Sequence, residues 1–187
     1  MTRIISGRAG SLTLEVPDAG TRPTSDRVRE SLFGALESAD AIRGAAVLDL
    51  YAGSGALGLE AMSRGAARAD LVEKAPRAAS AVQRNAVRVG KAIARDGPIA
   101  VHRTSAAGYL HVPRGPYDLV FVDPPYDLPE HELTAVLELL VPALSENAIV
   151  VVERAKRSPE PALPTGLIAD RSKSYGDTTL WWAVAEG

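Results

Sequence analysis

From Ala45 onward the chain alternates short apolar runs with stretches of helical spacing. "AAVLDL" (45–50), "ADLVE" (69–73), "IAVHR" (99–103) and "YDLVFVD" (117–123) read as strands, and segments beginning near Gly55, Pro76 and Pro129 read as helices. Such alternation predicts an α/β fold: a parallel sheet covered on both faces, whose strands are apolar along their whole length. "NAIVVVE" (147–153) supplies a fifth strand and "GLIADRSKSYGDTTLWWAV" (166–184) a closing hairpin.

Before this alternation the pattern differs. "RIISG" (3–7) and "SLTLEV" (11–16) are β-rich and separated by "RAG", which predicts a hairpin, so residues 1–20 read as a β-hairpin extension and 21–187 as the main domain. "TRPTSDRVRESLFGALES" then offers Thr24 or Ser25 as a cap and places Val28, Leu32, Ala35 and Leu36 on one face of an amphipathic helix.

Composition narrows the chemistry. The chain has 187 residues, 46% of them hydrophobic, and no run approaches the ~20 apolar residues of a membrane span. The start "MTRIISGRAG" lacks the apolar stretch of a secretion signal, so a cytoplasmic location with no membrane association is expected. Zero cysteines exclude disulfides, cysteine-ligated metals and any cysteine nucleophile. His102, His111 and His131 stand too far apart to share a helical face as ligands, and no metal is expected.

Two motifs carry chemistry. In "VLDLYAGSGALGLEA" (47–61), Gly53, Gly55 and Gly58 link a strand to a helix where a ligand can approach bare backbone, and Glu73 ends the next strand where an acid meets ribose hydroxyls. The spacing also fits dinucleotide binding, but Asp49 at the strand end gives nothing to a pyrophosphate. It favours a cationic ligand such as S-adenosylmethionine, while ordering of the glycine loop is its other possible role.

The second motif, "VDPPY", ends a strand on Asp123 because Pro124 and Pro125 cannot donate ladder hydrogen bonds. In a doubly wound sheet the strand ends face one crevice, so Asp123 points toward Gly53 and Glu73. An exocyclic base amine has its lone pair delocalised into the ring. Hydrogen bonds from it to the Asp123 carboxylate and the Pro124 carbonyl would turn that lone pair toward a methyl donor. Tyr126 offers a stacking face for a flipped base.

"DLYAGSGALGLEA" followed by "VDPPY" resembles the class I S-adenosylmethionine-dependent methyltransferases that act on base amino groups. "RIISGRAGSLTLEVP" and "RPTSDRVRESLF" are similar to the bacterial 16S rRNA guanine-N2 methyltransferase family, the RsmD type, over residues 3 to 155. The resemblance implies a Rossmann-like, seven-stranded, mostly parallel sheet, S-adenosyl-L-methionine as methyl donor, and 16S rRNA in the small ribosomal subunit or its assembly intermediate as substrate.

Carried over by position, it puts Asp49, Tyr51, Gly53 and Gly55 in the cofactor loop, Glu73 at the ribose with Lys74 beside it among the cofactor-binding residues, and Asp123, Pro124, Pro125 and Tyr126 at the target amine. Many relatives in the class hold the adenine amine with an acid after the third strand. Here "HRTSAAGYL" leaves Ser105 or the backbone of Ala106 for that role.

Charge gives RNA binding no overall support, with 21 basic residues against 23 acidic. Locally, Arg3, Arg8, Arg22, Arg27 and Arg29 cluster around the extension and first helix and are the candidate RNA contacts, with Arg154, Lys156, Arg157, Arg171 and Lys173 as further basic positions. A monomer is expected. The competing readings are an N6-adenine DNA methyltransferase, a protein glutamine methyltransferase, a nicotinamide-dependent dehydrogenase, which leaves "DPPY" unexplained, and a non-catalytic rRNA-binding assembly factor.

Overall fold

A computed structural model describes residues 2–17, 25–94 and 97–187. The expected strands form as β3 (Ala46–Asp49), β4 (Arg68–Val72), β5 (Ile99–His102), β6 (Tyr117–Val122) and β7 (Leu144–Ala155), and the closing hairpin as β8 (Leu167–Tyr175) and β9 (Thr178–Ala185). They make one seven-stranded sheet in the order β5-β4-β3-β6-β7-β9-β8. The first five strands in that order run parallel, and β9 lies antiparallel to both β7 and β8.

The central strands β3 and β6 are almost wholly apolar because they face two cores. On one face, α1 (Asp26–Ser38), α2 (Ala56–Ser63) and α3 (Pro76–Ile93) bury Leu32, Phe33, Leu59 and Val82 against Val47, Leu119 and Phe121. On the other, α4 (Ala106–Leu110) and α5 (Glu130–Leu140) bury Tyr109, Leu133 and Leu137 against Leu48, Val120 and Val122. Helix α1 starts at Ser25, whose Oγ accepts the Val28 amide at 3.3 Å; Thr24, the other candidate cap, lies outside the described residues.

The chain departs from the sequence pattern in three places. The N-terminal hairpin pairs only Thr2 with Leu14 and Arg3 with Thr13, as the two-residue strands β1 (Thr2–Arg3) and β2 (Thr13–Leu14). Four of the residues between them donate their amides to α2 rather than across the hairpin: Ile5 and Ser6 to Glu60 at 2.7 and 3.0 Å, Arg8 to the Ser63 carbonyl and Ala9 to the Ser63 hydroxyl, both at 2.9 Å. Gly7 sits at φ +83°, and a β-carbon there would fall 2.1 Å from the Ser63 oxygen, so the loop reaches the helix only because this position is glycine. Ile4, Ala9 and Leu14 are buried in the same core as α1, α2 and α3.

Helix α4 is the second departure. Five residues are too few for a periodic signal, and its cue is Ser105, whose hydroxyl accepts the Gly108 amide at 3.0 Å. The third is β7, which extends beyond "NAIVVVE" at both ends.

Candidate active site

Strand order reverses between β3 and β6, so the chain leaves these neighbours in opposite directions and opens a crevice at their C-terminal ends. The glycine loop leaves β3 and the Asp123 loop leaves β6.

Within the glycine loop the glycines do different work. Gly53, at φ +57°, has nothing within 4 Å of where a β-carbon would stand, so its surface is open to a ligand. Gly55, at φ +83°, caps α2, and a β-carbon there would meet Val82 at 2.7 Å; at Gly58 one would meet Leu71 at 2.2 Å. Gly55 therefore serves turn and packing geometry, and Gly58 lets α2 lie against β4.

Two acids hold the loop. Glu73 accepts the Gly53 amide through Oε2 at 3.0 Å and the Ala75 amide through Oε1 at 2.7 Å, tying the end of β4 to the loop and to the start of α3. Each oxygen keeps a second lone pair open to a further donor. Asp49 is 1% exposed, and its Oδ2 accepts the Gly58 amide at 3.1 Å. Its Oδ1 is buried with no hydrogen-bond partner among the described residues. Burial pushes the Asp49 carboxyl up to about 7; the Gly58 and Tyr51 backbones only partly offset this, and the nearby Glu73 charge adds to it.

The remaining candidates in this half fall around the loop. Tyr51 is half-buried, and its phenol is pushed up to about 12, first by burial and then by the field of Glu132, so it stays protonated. Lys74 is exposed beside Glu73. Ser105 is exposed and Ala106 buried at the start of α4, just past β5.

The loop after β6 has other supports. Pro124 is buried, Pro125 is exposed, and Tyr126 is 38% exposed with its hydroxyl 3.2 Å from Thr178 Oγ1 at the start of β9. The Pro125 carbonyl accepts the Leu128 amide at 3.0 Å. Beneath the loop lies Arg154 of β7, 1% exposed. It donates from Nη1 to the Pro125 carbonyl at 3.4 Å, from Nη2 to the Leu128 carbonyl at 2.9 Å, and to the Glu130 carboxylate.

Two arginines expected at the surface are thus buried. Arg154 lies under the Asp123 loop. Arg29, a candidate RNA contact, is 0% exposed, 2.6 Å from Asp26 and 3.8 Å from Glu60, on the same face of α1 as Leu32, Phe33 and Leu36. It cannot meet RNA in this fold. Arg3, Arg8 and Arg27 are exposed, with Arg3 3.7 Å from Asp26 and Arg8 reaching the Ile93 carbonyl at 3.3 Å. Arg22 lies outside the described residues.

Several contacts have no counterpart in the sequence motifs. Asn85, 0% exposed on α3, bonds both the amide and carbonyl of Glu15 and donates to the Ser54 carbonyl at 2.8 Å, so the extension braces the glycine loop. Ser31 of α1 lies 2.5 Å from the Tyr175 hydroxyl, joining α1 to the tip of the β8–β9 hairpin. Among the described residues no group of three His, Asp or Glu side chains could hold a metal ion, and no helix is long and apolar enough to cross a membrane.

The family model described as conserved hypothetical protein 95 matches residues 2–184. The chain belongs to that family. It is 38% identical to the ribosomal RNA small subunit methyltransferase D of Escherichia coli strain K12, covering 99% of this chain and 91% of that protein. A solved Escherichia coli structure described as a methyltransferase matches with a TM-score of 0.86 at 34% identity, over 99% of this chain and 98% of that one. A Haemophilus influenzae methylase structure matches with a TM-score of 0.79 at 27% identity, over 100% and 99% of the two chains. Both solved structures share the fold over nearly the whole chain.

Proposed function

We propose that the chain methylates the exocyclic N2 amine of a guanine in 16S rRNA of the small ribosomal subunit, in the cytoplasm, with S-adenosylmethionine as donor. The observation that carries this reading is the meeting of the glycine loop and the Asp123-Pro124-Pro125-Tyr126 loop at one crevice, in a family whose curated relatives are named as rRNA methyltransferases. The donor fits the residues present. The unpartnered Oδ1 of Asp49 suits its cationic amino-acid end, the open face of Gly53 admits its backbone contacts, and Glu73 retains lone pairs for its ribose. When bound, S-adenosylmethionine supplies a methyl group on a positively charged sulfur.

Asp123 and the Pro124 carbonyl accept the two N–H bonds of the target amine and turn its lone pair toward that methyl group. The Pro125 carbonyl is committed to Leu128 and Arg154, which leaves Pro124 as the acceptor beside Asp123. During transfer the Asp123 charge would stabilise the positive charge growing on the attacking nitrogen, and its carboxylate would then take up the proton that the nitrogen releases. Tyr126 stacks on the extruded base, with its hydroxyl anchored on Thr178. Arg3, Arg8 and Arg27, with Lys156, Arg157, Arg171 and Lys173, supply exposed positive charge for phosphates.

The test is to incubate the protein with labelled S-adenosylmethionine and either unmethylated small subunits, free 16S rRNA or DNA, then identify the modified nucleoside. N2-methylguanosine from the particle supports the reading. N6-methyladenine in DNA, or no product from any substrate, contradicts it.

A further inference from the structure

The two prolines fix φ at 124 and 125, and Pro129 biases Leu128 toward extended backbone, but ψ of Pro125 and the torsions of Tyr126 and Asp127 are left to the rest of the fold. A loop so placed would let Asp123 and the Pro124 carbonyl drift apart from the geometry both must share. We propose that Arg154 is a positioning residue for methyl transfer, holding the Asp123 loop so that both acceptors meet the target amine together. This rests on the reaction proposed above.

The guanidinium is a rigid planar fork, and it takes the Pro125 carbonyl, the Leu128 carbonyl and the Glu130 carboxylate at once. These three acceptors span the loop from just after the acceptor pair to the first turn of α5. Alternation along β7 puts Arg154 on the face of Val150 and Val152, in the core that also holds Leu133 and Leu137. Its positive charge also acts on the Tyr51 phenol, at the start of the glycine loop. Burying a charge there is a poor route to stability, since well-packed apolar residues often replace buried ion pairs without loss. Lysine, a single point donor, cannot reproduce the fork.

The test compares Arg154→Met, Arg154→Lys and Glu130→Gln with the wild type. Single-turnover methyl transfer to small subunits, cofactor affinity and amide hydrogen exchange at Tyr126, Asp127 and Leu128 are measured in each. Arg154→Met should slow transfer ~10²-fold, the scale of a small misplacement of reacting groups, with cofactor affinity unchanged and faster exchange in the loop. Arg154→Lys should recover part of the rate, and Glu130→Gln, which keeps an acceptor oxygen, should be the mildest. If Arg154→Met does not fold, the Lys and Gln variants decide. Unchanged exchange overturns the clamp, and faster exchange with an unchanged rate overturns its role in positioning. A wild type that transfers no methyl group overturns the reaction, while the exchange comparison still decides whether Arg154 holds the loop.

Discussion

The glycine loop takes its shape from its own backbone and from acids at neighbouring strand ends: Gly53 and Gly55 adopt positive φ, and Glu73 and Asp49 accept amides from Gly53 and Gly58. The Asp123 loop, across the crevice, has prolines in place of glycines and a cation in place of acids, and that cation comes from β7. The difference follows from what each loop must present. In the proposed reaction one offers open backbone and negative charge to a cationic cofactor, and the other offers two fixed acceptors to a neutral amine and so must be stiff.

The largest expected effect lies in the stiff loop. Asp123→Asn keeps the shape but loses the charge facing the reacting nitrogen, and single-turnover assays should show a rate lower by ~10²- to 10³-fold. Next comes glycine packing. Gly58→Ala drives a β-carbon into Leu71 and should cost about 1–3 kcal/mol in denaturant melts with little effect on cofactor affinity, whereas Gly53→Ala meets open space, costs about 1–2 kcal/mol of left-handed backbone strain, and should also weaken cofactor binding. If both changes weaken cofactor binding equally, the glycines do not divide their work as described.

Tyr126 separates stacking from anchoring. Tyr126→Ala removes a stacking face worth roughly 1–3 kcal/mol per base and should raise KM for the particle. Tyr126→Phe loses only the Thr178 bond, about 0.5–1.5 kcal/mol, and should be mild in the same assay. The smallest effects belong to the surface. Replacing Arg3 or Arg27 by Ala should lower the slope of RNA affinity against salt by about 1 for each phosphate no longer neutralised, with no change in melting temperature. Arg29→Ala should instead destabilise the fold by ~3–5 kcal/mol by leaving Glu60 buried with one partner fewer.

The sequence makes one loop more legible than the other for a physical reason. Glycines at a strand-to-helix junction mark an unusual backbone locally, and the distinction between open Gly53 and packed Gly55 and Gly58 needs only the identity of what lies opposite. Pro124 and Pro125 show that β6 must end, the apolar runs give the five parallel strands, and the closing hairpin gives β8 and β9. What holds the second loop cannot be read nearby, because Arg154 lies about thirty residues downstream and reaches backbone carbonyls, which carry no residue identity. The period-2 pattern of "VVVERA" nonetheless puts Arg154 on a buried face, and the helical spacing of Arg29 with Phe33 and Leu36 does the same. Counting both as surface charge ignores that periodicity. Helix α4 and the tie from Asn85 to the extension leave weaker traces, a lone serine cap and one polar residue in an apolar helix face.

The central claim, that the glycine loop binds the cofactor and the Asp123 loop does not, is tested most directly by calorimetric titration with S-adenosylhomocysteine across pH 7. The Asp49 carboxyl stands near 7 in the fold against an ordinary value of 3.8, so the free protein loses stability as pH rises between those values. A bound ammonium group favours the ionised form, so binding expels the Asp49 proton wherever the free protein holds it. Affinity should therefore weaken as pH falls below about 7 in the wild type. Asp123→Asn should trace the same curve, and Asp49→Asn should bind more weakly with no such dependence. Loss of binding in Asp123→Asn, or a wild-type pH dependence kept by Asp49→Asn, would contradict the division.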